Sequence, residues 1–502
     1  MESESIPTAA EQDIRLEPWK RIAGLIAGPL AAGLLYLAPL PELPPAAHIL
    51  AAILVWVVLY WIMEPIPLPV TALLGTAACV LVGLGTAKSI FASYAHPIIF
   101  LFLGSFFLAK AMTVHGVDRR FAFWMLSLPW IAARPARMLL ALGTVTAVIS
   151  MWISNTAAAA LMLPVALGIC GALRDSGPAG QGDYRIALML ILSYAATAGG
   201  MATIIGTPPN LIGVGLIAQQ ADVRISFLTW MMVGFPLTIL MLLICWALLR
   251  WVYPPPMPVL PNLAGYLRIQ RVVLGPWTRG QGNACLAFGA ALLFWIGPGL
   301  IAAIQGPDSP LSVWLETHLP NELVALLAAG LLFVLPASSG APTLSWKQAA
   351  AINWGTILLF GAGLAFGDLM IKTGLAETIG RGFVTWAGTN TVWSLTAVSI
   401  GVAVIVSELT SNTATASMLV PLAIAIAQSA GVSPVPPALG ACLGASLGFA
   451  LPVSTPPNAI VYGTGLVPIR SMVRIGLLTD LLGALLIWLT LRLLCPLLGL
   501  ST

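Results

Sequence analysis

The chain has 502 residues, of which 59% are hydrophobic and only 8% charged, with a mean hydropathy of +0.96. So little charge cannot clothe a water-soluble surface of this size, and a polytopic, all-α membrane protein is expected. The net charge of +4 comes with no basic run interleaved with aromatics, and the six cysteines and four histidines are scattered singly, so the reading excludes nucleic acid and a transition-metal or disulfide framework.

In chain order, residues 1–21 read as a polar cytoplasmic tail and 22–39 as an extra transmembrane helix. Apolar runs long enough to span follow at 47–63, 66–86, 92–114, 185–218 and 226–252, with a double run at 137–171. Arg119, Arg120, Trp124, Trp130, Arg134 and Arg137 mark an amphipathic arm before that double run. A linker rich in Pro, Arg and Gly occupies 253–282, and then the same order returns: 283–304, 321–336, 348–372, an arm near 376–388, a double run at 390–428, 435–466 and 470–496. One extra helix and two five-helix repeats give eleven crossings. Repeat 1 is 47–252, with scaffold helices 47–118, hairpin 137–171 and transport helices 185–252; repeat 2 is 283–496, with scaffold 283–375, hairpin 390–428 and transport helices 435–496.

The register of the duplication is explicit. Ser150, Ser154, Asn155, Thr156 and Pro164 recur 257 residues later as Ser407, Ser411, Asn412, Thr413 and Pro421. Past the loop at 172–185 the offset falls to 248, which pairs Thr207 with Thr455 and Asn210 with Asn458. An odd number of crossings per repeat makes the second copy enter from the opposite face, as in the inverted repeats of transporters. Loop Lys and Arg place the N-terminus inside and the C-terminus outside.

The double runs read as re-entrant hairpins with the Ser-Asn-Thr at the tip, a backbone tolerated at membrane depth only inside protein or beside a polar cavity. The pairs Pro208-Pro209 and Pro456-Pro457 mark a second set of helix breaks. Hydroxyls, amide oxygens and freed carbonyls suit a hard cation, while half-helix N-termini suit an anion. Neither constellation holds a Lys or Arg, so a dianion there needs co-bound cations, and at least two Na⁺ are expected. A lone Ser-Asn-Thr in a membrane helix is helix-packing glue; its recurrence with the prolines argues for a site. Glu408 is read as pairing with a hairpin donor rather than carrying a proton. Asp480 is an intramembrane carboxylate with no partner identifiable from sequence, and Asp368 and Lys110 sit where snorkelling accounts for them. No nucleophile, base or metal cluster suggests an enzyme, and a two-sided site between broken helices argues against a continuous channel.

At these residues the chain resembles the divalent-anion/sodium symporters, the sodium-coupled dicarboxylate, citrate and sulfate carriers, over almost its whole length. The resemblance implies a homodimer in a lipid bilayer, the bacterial inner membrane, in which each hairpin and its following helices move elevator-fashion against a fixed scaffold. It implies one sodium site at Ser150, Ser154, Asn155 and the backbone of Gly206, and another at Ser407, Thr410, Asn412 and the backbone of Ser454. Substrate carboxylates would meet Ser154, Asn155, Thr156 and Thr207 from one side and Ser411, Asn412, Thr413, Thr455 and Pro456 from the other. Ser454 stands where bacterial dicarboxylate carriers often have a smaller residue. The intact Pro-Pro in both repeats looks more like those carriers, which favours C4-dicarboxylates such as succinate, malate or fumarate. The alternatives of the same fold are a sodium-independent exchanger and a sodium/sulfate symporter.

Overall fold

The computed structural model describes residues 18–41, 43–128, 135–174, 181–255, 263–306, 308–337, 340–387 and 391–501. Most of the N-terminal tail, Trp130 and Arg134 lie outside them. Apolar runs that lack internal breakers fold as helices, and prolines cluster at their first turns, where the missing N–H costs nothing. Repeat 1 comprises α2 (Pro45–Met63), α3 (Leu68–Leu81), α4 (Pro97–His115), the arm α5 (Val117–Leu126), α6 (Pro135–Ser150), α7 (Asn155–Arg174), α8 (Gln181–Gly200), α9 (Pro208–Ala221) and α10 (Phe227–Val252), preceded by α1 (Pro18–Leu37). The linker carries its own amphipathic helix, α11 (Leu263–Val273). Repeat 2 comprises α12 (Arg279–Gln305), α13 (Pro310–His318), α14 (Asn321–Val334), α15 (Trp354–Lys372), the arm α16 (Leu375–Ala387), α17 (Val392–Leu409), α18 (Asn412–Ser429), α19 (Val435–Gly444), α20 (Pro456–Tyr462) and α21 (Ile469–Leu497).

Among the described residues seven helices are long and apolar enough to cross a membrane, or eight if α13 and α14, bent by 62°, form one span. The expected eleven counts α3 and the two broken helices as crossings. By length and composition alone neither these nor α1 qualifies, α8 having 20 residues but too little apolar character, whereas α17, expected as the first limb of a re-entrant hairpin, does qualify. The expected run 321–336 is correspondingly the second limb of that bent pair. Large apolar side chains such as Leu81, Ile304 and Leu497 point outward, as they do where the solvent is hydrocarbon. α15 is mostly enclosed by protein, with 72% of its span buried, whereas α12 turns outward with only 28% buried.

The two repeats interlock reciprocally. α3 packs on α15 and α4 on α14; since the 257-residue offset pairs Gly104 of α4 with Gly361 of α15, each of the two helices lies against the other's counterpart. In the same way α9 rests on α18 and α19, while α20 rests on α7 and α8. The last helices of the repeats, α10 and α21, pack together. Such an exchange is what an approximate two-fold relation between the copies produces.

The breaks differ from their expected form in one respect. The prolines do not interrupt helices from within; they stand at the first positions of α9 and α20, and the unwound stretches 201–207 and 445–455 precede them. Close approach at each break rests on a glycine of the following long helix. A Cβ at Gly234 would lie 2.4 Å from the Met201 carbonyl, and one at Gly476 would lie 2.3 Å from the Phe449 carbonyl. Backbone cannot give way as a side-chain tip can, so overpacking here costs about 1–3 kcal/mol. Gly476→Ala is therefore expected to lower the thermal unfolding midpoint of the purified protein in detergent by several degrees; an unchanged midpoint would show that α21 can retreat from the break without cost.

Candidate functional site

The site is assembled from four non-helical points, two hairpin tips and two unwound stretches. At the first tip α6 ends at Ser150 and α7 begins at Asn155. Ser154 caps α7, its Oγ accepting the Ala157 N–H at 3.3 Å, which satisfies one of the donors a helix start leaves free. The second tip repeats this: Ser411 is the N-cap of α18, and its Oγ accepts the Ala414 N–H at 3.2 Å. The helices thus start at Asn155 and Asn412, within the Ser-Asn-Thr itself. The expected hairpins at 137–171 and 390–428 correspond to α6–α7 and α17–α18, with residue 390 outside the described residues.

Each tip is tied by matching bonds to the chain leading into its break, at Ala196 within α8 and at Ala445 just after α19. The buried Ser150 hydroxyl lies 2.6 Å from the Ala196 carbonyl and 2.9 Å from Asn155 Oδ1. Its twin Ser407 lies 2.7 Å from the Ala445 carbonyl and 2.9 Å from Asn412 Oδ1. One proton serves two acceptors, and the hydroxyl's own lone pairs remain available. Asn412 also reaches the Ser446 carbonyl through Nδ2 at 3.5 Å.

Within each break an asparagine spans the gap. Asn210 Nδ2 donates to the carbonyls of Gly200 and Thr203, at 2.8 and 2.7 Å, and Asn458 Nδ2 donates to those of Gly448 and Leu451, both at 2.9 Å. Every one of these partners obeys the 248-residue offset. Thr207 and Thr455 then stand in extended conformation as the N-caps of α9 and α20, and neither uses its side chain as a cap. Thr455 Oγ1 and Asn210 Oδ1 are buried with no hydrogen-bond partner among the described residues. Residues 201–207 are all buried, while Asn155, Thr156, Asn412 and Thr413 are half-buried and Ser154 and Pro456 are exposed. The tips are thus accessible, and the breaks form their floor.

Gly206 and Ser454 solve one packing problem in two ways. A Cβ at Gly206 would meet the Gly200 carbonyl at 2.5 Å. In repeat 2 the backbone leaves room for a side chain, and Ser454 Oγ lies 2.9 Å from the Gly448 carbonyl and 2.7 Å from that of Leu451. The extra hydroxyl at Ser454 is therefore spent on bracing the break. Thr410, expected beside Ser407 as a cation ligand, sends its hydroxyl to the Trp61 carbonyl of α2 at 2.8 Å. Its proton thus ties the second hairpin to the scaffold. Ser150 bonds Asn155 and Ser407 bonds Asn412, Gly206 lies against Gly200 and Ser454 bonds Gly448, and among the described residues no side-chain hydrogen bond joins Thr156 or Thr413 to them.

Several residues of the site escaped the sequence reading. Ser193 Oγ donates to Asn458 Oδ1 at 2.5 Å and so links α8 to the other repeat's break. Cys442 donates through Sγ to the Pro209 carbonyl at 3.0 Å, the reciprocal link. Thr203 Oγ1 donates to the Met151 carbonyl at 2.5 Å, tying the first tip to the first break. All three lie between the duplicated motifs of their repeat, where nothing in the sequence says which hydroxyl or thiol meets a break. The expected pairing of Glu408 with a hairpin donor takes another form, since its carboxylate accepts the N–H groups of Ala450 and Leu451 in the break, at 2.8 and 3.1 Å. Asp480 finds the partner sequence could not name, the Phe449 N–H, at 3.3 and 3.4 Å from its two oxygens. Asp368 pairs with Lys372 at 2.6 Å on an exposed helix end, a contact worth little to stability.

The donor set fits a hard monovalent cation at each tip–break junction. Hydroxyl, amide and backbone carbonyl oxygens converge there, and no Lys, Arg or His takes part in these bonds. Together the fold and this site define an all-helical membrane transporter made of two copies of one unit. A family model described as "Sodium:sulfate symporter transmembrane region" matches residues 19–500, and the chain belongs to this family, the divalent-anion/sodium symporters. The sodium-dependent dicarboxylate transporter SdcS of Staphylococcus aureus strain USA300 is 32% identical over 479 residues, covering 93% of this chain and 90% of SdcS. SdcS of strain MRSA252 is also 32% identical, over 95% of this chain and 91% of the relative. Among solved structures, the YdaH transporter of Alcanivorax borkumensis aligns with a TM-score of 0.50 at 16% identity, over 84% of this chain and 89% of that one. MtrF of Neisseria gonorrhoeae aligns with a TM-score of 0.53 at 13% identity, over 83% of each chain. At such identity these two bear on the fold alone.

The bonding of the two asparagines sets up a comparison. Asn458→Ala takes the acceptor from Ser193 but leaves the carbonyls of Gly448 and Leu451 with Ser454 Oγ, while Asn210→Ala takes from the Gly200 and Thr203 carbonyls a side-chain donor that no serine replaces. Stranded buried groups cost about 1–3 kcal/mol each. Thermal unfolding is expected to show the larger loss for Asn210→Ala, since the Ser193 hydroxyl can turn to a carbonyl of its own preceding turn and a backbone carbonyl cannot turn; a larger loss for Asn458→Ala would make Ser193 an anchor of the break.

Proposed function

We propose that the protein is a sodium-coupled symporter of C4-dicarboxylates such as succinate, malate or fumarate. The observation that carries this reading is the duplicated cage, in which oxygen ligands recur in register at both tip–break junctions without a basic side chain. A dianion brought into protein at membrane depth costs several kcal/mol or more per uncompensated charge. Two sodium ions, one per cage, neutralise it, so substrate and cations bind well only together. That mutual dependence is obligatory coupling.

In this reading Ser150, Ser154, Asn155 and the Gly206 carbonyl hold one sodium ion, and Ser407, Thr410, Asn412 and the Ser454 carbonyl hold the other. The substrate's two carboxylates lie between Ser154, Asn155, Thr156 and Thr207 on one side and Ser411, Asn412, Thr413, Thr455 and Pro456 on the other. The starts of α7, α18, α9 and α20 turn their positive ends toward these carboxylates. The reciprocal packing of the repeats supports an inverted topology, with re-entrant hairpins α6–α7 and α17–α18. Each hairpin with its broken and last helix then moves as an elevator past α2–α4 and α12–α15, within a homodimer in the inner membrane, N-terminus inside. The name of SdcS and its identity across nine-tenths of both chains support the dicarboxylate and the sodium dependence.

The test is uptake of labelled succinate into proteoliposomes holding the purified protein, under an inward gradient of Na⁺ or of choline. Sodium-dependent accumulation is expected, and Asn155→Ala or Asn412→Ala is expected to reduce it by about tenfold or more, the effect of losing one ligand to a charged group. Uptake equal in all salts, appearing only when vesicles are preloaded with dicarboxylate, would replace symport with exchange. Stronger inhibition by sulfate than by unlabelled malate would move the substrate to the inorganic dianion.

A further inference from the structure

The two breaks are held by opposite chemistry. In repeat 1 neutral hydroxyls donate to carbonyls: Thr203 bonds the Met151 carbonyl at the tip, and Thr238 of α10 bonds the Ala198 carbonyl at 2.9 Å. The amides of Met201 and Ala202 are closed locally, onto the carbonyls of Ala198 and Gly199. The 242-residue offset that aligns Gly234 with Gly476 places Asp480 where Thr238 stands, and the 257-residue offset places Glu408 where Met151 stands. In repeat 2, accordingly, carboxylates accept from amides. Asp480 of α21 receives the Phe449 N–H, and Glu408 of α17 receives those of Ala450 and Leu451.

Three consecutive amides of the second break are thus held by two carboxyl groups that are only 8% and 4% exposed. The same short stretch presents its carbonyls to the cage. Gly448 and Leu451 receive Ser454 Oγ and Asn458 Nδ2. A single residue, Leu451, therefore links the Glu408 carboxylate to Ser454, and Ser407 precedes Glu408 in the chain. The titratable neighbours are Tyr194 of α8, edge-on to Phe449 at 4.9 Å, and Cys245 of α10. Neither brings a positive charge.

We propose that Glu408 and Asp480 are positioning residues of the second sodium cage: they lock the backbone that holds Ser454 and Asn458, and they supply a negative charge that the first cage lacks. This rests on the sodium reading of the cages. The two sodium sites are then unequal, the second being pre-formed and charge-assisted and the first relying on neutral dipoles. Charge-assisted bonds to backbone amides fix the segment in one geometry before the ion arrives, so the second site fills at lower sodium concentration.

The experiment is the sodium activation curve of succinate uptake in proteoliposomes for wild type, E408Q, E408D and D480N, at saturating succinate. E408Q and D480N are expected to raise the half-saturating sodium concentration about tenfold, roughly what one charge-assisted hydrogen bond contributes, with the rate at saturating sodium far less affected. E408D keeps the charge and is expected to fall between E408Q and wild type. The double variant E408Q/D480N is expected to shift the curve by less than the product of the single shifts, since both carboxyls act through one segment. Sodium-dependent thermal stabilisation of the purified proteins reads the same affinity without transport, and D480N, which leaves both Glu408 bonds in place, keeps the test open if E408Q does not fold. Activation curves that superpose on wild type, or lower rates at an unchanged half-saturating concentration, would overturn the assignment. A wild type indifferent to sodium in both measurements would instead overturn the sodium reading, and this inference with it.

Discussion

A helix broken inside a membrane protein frees amides and carbonyls that no water can satisfy, and each orphan costs several kcal/mol in hydrocarbon. The rest of this structure depends on meeting that demand four times. The hairpin tips meet it with serine caps and the breaks with a bridging asparagine. The first break is also enclosed by protein beside the buried helix α8, while the second follows the buried helix α19 and turns Val453 outward. The oxygens left over from this satisfaction, a second lone pair here and an unpaired Asn210 Oδ1 or Thr455 Oγ1 there, are what the site has to offer a cation or an anion. Function in this fold is the residue of a structural necessity.

The duplication explains why the solution is shared and also where it diverges. Ser150 and Ser407, Asn210 and Asn458, and Gly234 and Gly476 make matching contacts because both copies inherit one way of bending the backbone. The copies are then free to differ wherever the partner across the interface differs. Asn458 Oδ1 has Ser193 to receive from, while the position equivalent to Ser193 in repeat 2 is Ala441, which leaves Asn210 Oδ1 unpaired. A carboxyl replaces the Thr238 hydroxyl at Asp480 and the Met151 thioether at Glu408, and the second break opens into a longer stretch that those carboxyls hold. Rigid reciprocal packing with locally different bonding lets one unit serve both as its own mirror and as a site with two distinct ends.

Much of this was legible in the residues. Ser-Asn-Thr and Pro-Pro-Asn recurring at fixed offsets located all four non-helical points, because Ser, Asn and Pro terminate helices by local chemistry that a sequence states openly. The direction of the break was less legible: prolines are read as interrupters, yet here they begin helices, since their missing N–H suits a first turn. Partners far along the chain were not legible at all. Thr410 reaches back to Trp61 and Asp480 across to Phe449, and nothing in the composition of either segment points to the other.

The sequence by itself determined that this is a duplicated, helical membrane protein whose polar oxygens sit at helix breaks, because hydropathy and helix termination are local properties of consecutive residues. Only the tertiary structure decided which oxygens keep a free lone pair, which serine braces a loop rather than facing a ligand, and which break carries charge. Those outcomes depend on donors and acceptors supplied by distant segments, and hydrogen bonds saturate only when both partners are in place.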